Sequence, residues 1–277
     1  MHAHFTLQAE PWMLIEENPK ISFSLFAFLL AFGCTGASSD PDNAPEIELH
    51  DPLTSMTPQN QLTEEETAEG FELLFDGTSL HRWRGYGCDG VPAGWTATGG
   101  TIAFVPDVER EPQDPPYVCG DLITRETYID FDLRLEWKVN SAGNSGILFG
   151  IVENSGPPYE SGPEMQVLDN AGHADGKKPL TSAGSNYGLH APSVNTTRPA
   201  GHWNQARIVR RGDHVEYWLN GMNVVEYKLG SPDWRKLVAK SKFAEWPDYG
   251  IHHEGHIGLQ DHGDPVWYRS IRIRRLN

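Results

Sequence analysis

The sequence predicts an all-β fold, a two-sheet antiparallel jelly-roll sandwich with one short helix, and three observations carry that prediction. From Gly70 onward the chain is a succession of short runs rich in β-branched and aromatic residues, bounded by Gly, Pro, Asn or Asp. Asn220-Gly221 lies between two alternating runs, the strongest short-range hairpin signal, and Gly99-Gly100 and Arg211-Gly212-Asp213 add two more turns. Within Tyr128–Val139, Phe131, Leu133, Leu135, Trp137 and Val139 alternate with Asp130, Asp132, Arg134, Glu136 and Lys138, so one face is apolar and the other wet. Many antiparallel strands without intervening helices mean a sandwich or barrel, and the jelly roll is the usual arrangement at this length.

In chain order, the first segment is not part of the fold. Ile21–Phe32 is an uncharged apolar run of signal-peptide length, too short to span a bilayer comfortably. It ends in Ala31-Phe32-Gly33-Cys34, which resembles the lipobox of bacterial lipoproteins, with Phe32 where that motif carries a small or aliphatic residue. Residues 1–34 are therefore expected to be a signal peptide and Cys34 the lipidated residue. The protein is expected to be exported and lipid-anchored to a bacterial membrane, periplasmic or at the cell surface, with plain secretion as the alternative. Residues 35–69 hold nine carboxylates and no Lys or Arg among Pro, Ser and Thr. Such a composition does not bury enough apolar area to offset ordering entropy, so it reads as a disordered acidic tether. Glu64–Ala68 is a candidate helical turn at its end.

The domain is expected over residues 70–277. Its strands are Phe71–Phe75, Trp95–Thr98, Thr101–Val105, Asp121–Thr124, Tyr128–Val139, Ile147–Val152, Glu164–Leu168 and Tyr187–His190. Trp203–Arg210, His214–Leu219, Val224–Tyr227, His256–Gln260 and Val266–Arg274 complete the set. The one fair helix is Asp233–Ser241, opened by Ser231-Pro232.

Charge and cysteine usage narrow the class. A formal net charge of −16 and no basic patch exclude a nucleic-acid partner, whose phosphates demand clustered Lys and Arg. A membrane is met only through the lipid anchor, and the sequence carries no sign of an oligomeric state. With Cys34 assigned to that anchor, Cys88 and Cys119 remain as an even pair in an exported protein. Each sits in a Gly/Pro-rich stretch, and they are expected to form a disulfide across two loops.

The wet faces point to a site. Glu164-Met165-Gln166-Val167 and His256-Ile257-Gly258-Leu259-Gln260 repeat the alternation, with Glu164, Gln166, His256 and Gln260 opposite the apolar residues. For any one strand this is an ordinary solvated face. Three strands carrying carboxylate, amide, ammonium or imidazole groups suggest a ligand face instead.

Several stretches then carry a family resemblance. They are Gly70-Phe71-Glu72-Leu73-Leu74-Phe75-Asp76-Gly77, Phe131 to Lys138 with Gly143-Asn144-Ser145-Gly146-Ile147, Glu164 to Asn170, Gly201-His202-Trp203-Asn204, Leu219-Asn220-Gly221 and Gly258-Leu259-Gln260-Asp261-His262-Gly263. In this order, over essentially residues 70–277, the chain resembles the 3-keto-disaccharide hydrolase domain family. The resemblance implies a concanavalin A-like, glucanase-type jelly roll acting on 3-keto-glycosides, with carbohydrate as the partner.

The chemistry follows from the ketone. A carbonyl at C3 of a sugar acidifies the hydrogen at C2, so the oxygen at C1 can leave by elimination, and water then adds. Such a site needs a base beside C2, a group for the enolate oxygen, and an acid for the departing oxygen. Glu164 and His262 are the candidates for the base, Lys138 for the enolate and Glu136 for the leaving oxygen. Gln166, Gln260, Asn144, Asp169 and Tyr187 are the candidates for substrate binding, and Trp95 is a candidate stacking group or core residue. Asp261 beside His262 is a partner or a turn cap. No cofactor is certain. A divalent cation is left open at Asp169 and Asn170, or at His252-His253-Glu254-Gly255-His256, which lacks the helical context of a zinc protease motif. Two alternatives stand beside this reading: a non-catalytic carbohydrate-binding module, and a conventional glycosidase with two carboxylates.

Overall fold

The computed structural model describes residues 59–106, 117–153 and 156–276. Ile21–Phe32, Cys34 and the tether up to residue 58 lie outside the described residues. Among the described residues no helix is long and apolar enough to cross a membrane.

The chain folds as two antiparallel sheets packed face to face, the expected jelly-roll sandwich. Its elements are α1 (Glu64–Ala68), β1 (Glu72–Leu73), β2 (Trp83–Gly85), β3 (Trp95–Thr98), β4 (Thr101–Phe104), β5 (Leu122–Thr124), β6 (Phe131–Val139) and β7 (Asn144–Ile151). They continue with β8 (Glu164–Leu168), β9 (Asn204–Arg211), β10 (His214–Leu219), β11 (Met222–Lys228), α2 (Pro232–Ala239), β12 (His256–Leu259) and β13 (Val266–Arg275). The larger sheet runs β11-β10-β9-β6-β13-β4-β3, with β1 also on β13, and the smaller runs β2-β5-β12-β7-β8. Leu133, Leu135 and Trp137 of the larger sheet and Val167, Ile257 and Leu259 of the smaller are buried together between them. The register expected from alternation therefore holds on both sides.

The turns follow their chemistry. Asn220 and Gly221 adopt φ of 49° and 83° between β10 and β11, and Gly99 and Gly100 adopt 56° and 74° between β3 and β4. Positive φ at both central positions is what matches a two-residue turn to strand twist. Cys88 and Cys119 are disulfide-bonded, with Cα atoms 5.6 Å apart and a sequence separation of 31. Closing that loop restricts the unfolded chain by roughly 3–4 kcal/mol on the chain-entropy model.

Three expectations need correction. Tyr187–His190 is not a strand, because Gly188 at φ 72° turns the chain within it; Asn186 bridges back to His190 and across to Met165 instead. The tether does not extend to Glu69, since residues 59–69 are part of the packed body. Ser270 sits at a bulge of β13 with φ 52°, and Asn60 Oδ1 accepts its N–H at 2.8 Å. Helix α1 is closed by a Thr63–Glu66 capping box, and the buried Glu66 carboxylate accepts from Arg272 and lies 3.7 Å from Arg134. There are thus two α-helices among the described residues rather than one. Helix α2 has its expected Ser231 cap, whose Oγ accepts from Trp234 N at 3.1 Å.

Candidate active site

The site is built on the outer face of the smaller sheet, at its β7–β8 side. Met165 and Val167 enter the core, so Glu164 and Gln166 point the other way. Gly146 of β7 lies opposite Gln166, and a Cβ there would fall 2.3 Å from Glu164 Oε1. The glycine makes room for the carboxyl to lie across its neighbour strand. Residues 184–187 then cover the edge: Gly184 N donates to Gln166 O at 2.8 Å and Tyr187 N to Glu164 O at 3.1 Å.

A pocket of about 150 Å3 results, lined by Asn144, Tyr159, Gly162, Glu164, Gln166, Tyr187, Lys242, Phe243, Tyr249, Gln260 and His262. Six residues expected at the site converge here: Glu164, Gln166, Gln260, His262, Asn144 and Tyr187. Glu164 is 8% exposed. Burial pushes its carboxyl up to about 8, with Asp121 and Asp175 adding to the rise and the Lys242 ammonium opposing it. With its nitrogen turned toward the carboxyl, the Gln166 amide donates to Glu164 Oε1 and the Ser145 carbonyl, both at 2.9 Å. Tyr187 donates to Asp175 Oδ2 at 3.3 Å, and burial pushes its phenol up to about 12.

His262 is held at the opposite rim. Its Nε2 is 3.3 Å from Asn144 Nδ2 and its Nδ1 3.8 Å from Asp264 Oδ2, while Asp264 also accepts from Asn144 N at 3.2 Å. Asp261 is the turn cap, its Oδ1 accepting from Gly263 N at 3.0 Å. Asn144 is buried, and its Oδ1 has no hydrogen-bond partner among the described residues.

Glu136 and Lys138 are not in the pocket. Both point outward as expected, but from β6 of the larger sheet, so the core stands between them and Glu164. Glu136 accepts from Arg269 at 2.5 Å, and Lys138 lies between the Trp203 and Trp267 rings, 5.1 and 4.8 Å from their centroids. Asp169 is also outside the pocket lining. Its carboxylate accepts from Ala142 N at 2.8 Å and Ala171 N at 3.1 Å, fixing the turn that leads into Asn144. Trp95 is a core residue donating to Gly120 O at 3.0 Å.

Lys242, Tyr159, Tyr249, Phe243 and Gly162 are the lining residues that sequence reasoning missed. Lys242 opens a 3-10 turn after α2, capped by Ser241 Oγ accepting from Phe243 N at 3.2 Å. Its ammonium lies 4.6 Å from the Tyr187 centroid and 5.9 Å from that of Tyr159. A lysine in an aromatic-rich stretch, Phe243 to Tyr249, is the signal that could have found it. Behind it the wall is a row of nearly parallel rings. Phe243 and Tyr249 are 4.0 Å apart, Tyr249 and Trp234 5.8 Å, and Trp234 and Tyr227 5.2 Å.

Among the described residues no group of three His, Cys, Asp or Glu is placed to hold a metal ion. In the His252–His256 run, His256 Nδ1 is 2.7 Å from Thr124 O, His252 Nε2 faces Asp248 at 3.6 Å, and Glu254 accepts from Thr127. The pocket can therefore offer one buried carboxyl, one ammonium, one imidazole and several amides to a polar ring.

Comparisons with known proteins agree in kind. A family model described as the 3-keto-alpha-glucoside-1,2-lyase-like domain matches residues 70–274. A protein of Bacteroides thetaiotaomicron named 3-keto-disaccharide hydrolase is 39% identical over 233 residues, 76% of this chain and 80% of that one. A crystal structure from Parabacteroides distasonis, provisionally classed as a glycosyl hydrolase, is 31% identical with a TM-score of 0.71, covering 79% of this chain and 100% of the other. A second from the same organism, classed alike, is 28% identical with a TM-score of 0.56, covering 74% of this chain and 99% of the other.

Proposed function

The chain belongs to the 3-keto-alpha-glucoside-1,2-lyase-like domain family, and from that premise we propose that it cleaves 3-keto-disaccharides by elimination across C1 and C2 followed by hydration. The observation that carries the route is that Glu164 is the one carboxylate among the described residues lining the pocket. A conventional glycosidase needs two, about 5–9.5 Å apart across the scissile bond. A sugar-binding module has no use for a buried carboxyl that an amide could replace without the desolvation penalty.

Glu164 serves as the base. Its ionised form takes the proton from C2, and the electron pair moves into the C3 carbonyl to give an enolate. A carboxyl raised to about 8 is a stronger base than an ordinary one, and the nearby Lys242 ammonium favours its ionised form. Lys242, rather than Lys138, stabilises the enolate oxygen. The enolate then expels the C1 oxygen, which takes a proton from His262 in the part first given to Glu136. Water adds to the C1–C2 double bond, its hydroxyl at C1 and its proton at C2, so the sum is hydrolysis. Asn144, Gln166 and Gln260 bind ring hydroxyls.

The apolar run ending at Cys34 supports export and lipid anchoring at that cysteine, to a bacterial membrane facing the periplasm or the cell exterior. Incorporation of labelled fatty acid, abolished in Cys34→Ala, is the expected result.

Turnover of a 3-keto-disaccharide in D2O tests the route. Elimination and hydration place one deuterium at C2 of the product beyond that of the enzyme-free control, whereas direct displacement at C1 places none. Because the base must be ionised, kcat/KM should rise with pH through about 8.

A further inference from the structure

The pocket accounts for one sugar ring and leaves the other without a seat. Its volume of about 150 Å3 is below the roughly 300–1,000 Å3 of sites that enclose a drug-sized ligand. With the keto ring inside, against Glu164, the second ring of a disaccharide lies beyond the mouth.

One side chain at that mouth is built to receive it. Tyr159 lines the pocket and is 38% exposed, the most exposed Phe, Tyr or Trp among the described residues. Its position is rigid. Tyr159 lies in a 3-10 turn, Pro158–Glu160, entered through Pro157, and Gly162 N closes the turn on Pro158 O at 2.9 Å. Ser161 Oγ ties the turn to the end of β7 by accepting from Val152 N at 3.2 Å. Trp246 supports the ring from the side, with centroids 5.4 Å apart at 53°. A large apolar ring held open to solvent exposes area that gains from being covered, and the C–H face of a pyranose matches it while the sugar hydroxyls stay wet. A rigid tyrosine also loses little rotamer entropy on binding.

We infer that Tyr159, backed by Trp246, is the platform for the leaving sugar and sets the preference for disaccharides over glycosides with small aglycones. This rests on the pocket being the seat of the 3-keto ring. Because the platform touches the leaving group and not the reacting carbons, its loss falls on KM more than on kcat.

The test compares a 3-keto-disaccharide with methyl 3-keto-glucoside in wild type, Tyr159→Ala and Tyr159→Phe. Tyr159→Ala is expected to lower kcat/KM for the disaccharide about fivefold, mainly through KM, and to change the methyl glycoside less than about twofold. Tyr159→Phe keeps the stacking face and is expected to stay within about twofold of wild type on both. If Tyr159→Ala affects both substrates alike or neither, the platform is refuted while the proposed activity stands. If wild type cleaves neither substrate, the proposed activity is refuted and the platform with it.

Discussion

Glu164 combines two properties that are usually opposed, since the burial that makes it a strong base also makes it a burden on the fold. Glu164→Gln keeps size and hydrogen bonding, removes basicity, and is expected to cut turnover about a hundredfold or more. The stability effect has the opposite sign. The folded carboxyl titrates at about 8 against a reference of 4.5, so between these values the folded state holds a proton that the unfolded state has lost. Stability therefore falls as pH rises across that window, by on the order of a few kcal/mol in all. Thermal melts should place Glu164→Gln above wild type at pH 9 and close to it at pH 4.5. Lys242→Met is expected to lower kcat about a hundredfold, whereas Lys138→Met, across the sandwich, should leave steady-state kinetics within about twofold. Alternation made Glu164, Gln166 and Gln260 legible because it tells which side of its own strand a residue takes. It does not tell which sheet the strand joins. A sandwich has two outer faces, and Glu136 and Lys138 obey the same alternation on the face away from Glu164. Lys242 follows a helix in a short turn, where no periodicity exists to read.

At the scale of elements, the β7–β8 pair makes the site, and Gly146 is where it is most vulnerable. The position is in extended backbone, so alanine meets no conformational barrier; the obstacle is the Glu164 carboxyl, 2.3 Å from the added Cβ. Gly146→Ala should leave the circular dichroism of the fold intact, lower kcat by about tenfold or more through displacement of the base, and shift the rising limb of the pH profile. Strand β8 was readable to the residue, and β10–β11 followed from Asn220-Gly221, because each has strong local signals. The run at 187–190 misled because Tyr, Leu and His resemble strand material, while Gly188 alone decides the backbone. Strand β2 was invisible for the converse reason. Trp83–Gly85 is three residues long among glycines, and only pairing with β5 makes it a strand.

For the whole molecule, the lesson is where the fold begins. Composition marks residues 59–69 as tether, yet Asn60 satisfies the bulged N–H of Ser270 and Glu66 neutralises Arg272 at the centre of the larger sheet's outer face. Acidic residues read as solvent-seeking unless their basic partners, more than 200 positions away in the chain, are known. A protein starting at residue 70 should be less stable than one starting at residue 59 by roughly 2–4 kcal/mol, measured by urea denaturation, because it leaves the Arg272 guanidinium without its carboxylate. The sandwich itself was legible, since strand number, turn chemistry and family motifs agree. The rings of Tyr227, Trp234, Tyr249 and Phe243, held 4.0–5.8 Å apart, are also an optical device. Chromophores in one fixed asymmetric array give near-ultraviolet ellipticity, which vanishes when tertiary packing loosens. Two of the four, Phe243 and Tyr249, line the pocket, so the protein carries an unlabelled spectroscopic gauge at its own site, one that should change when a sugar enters.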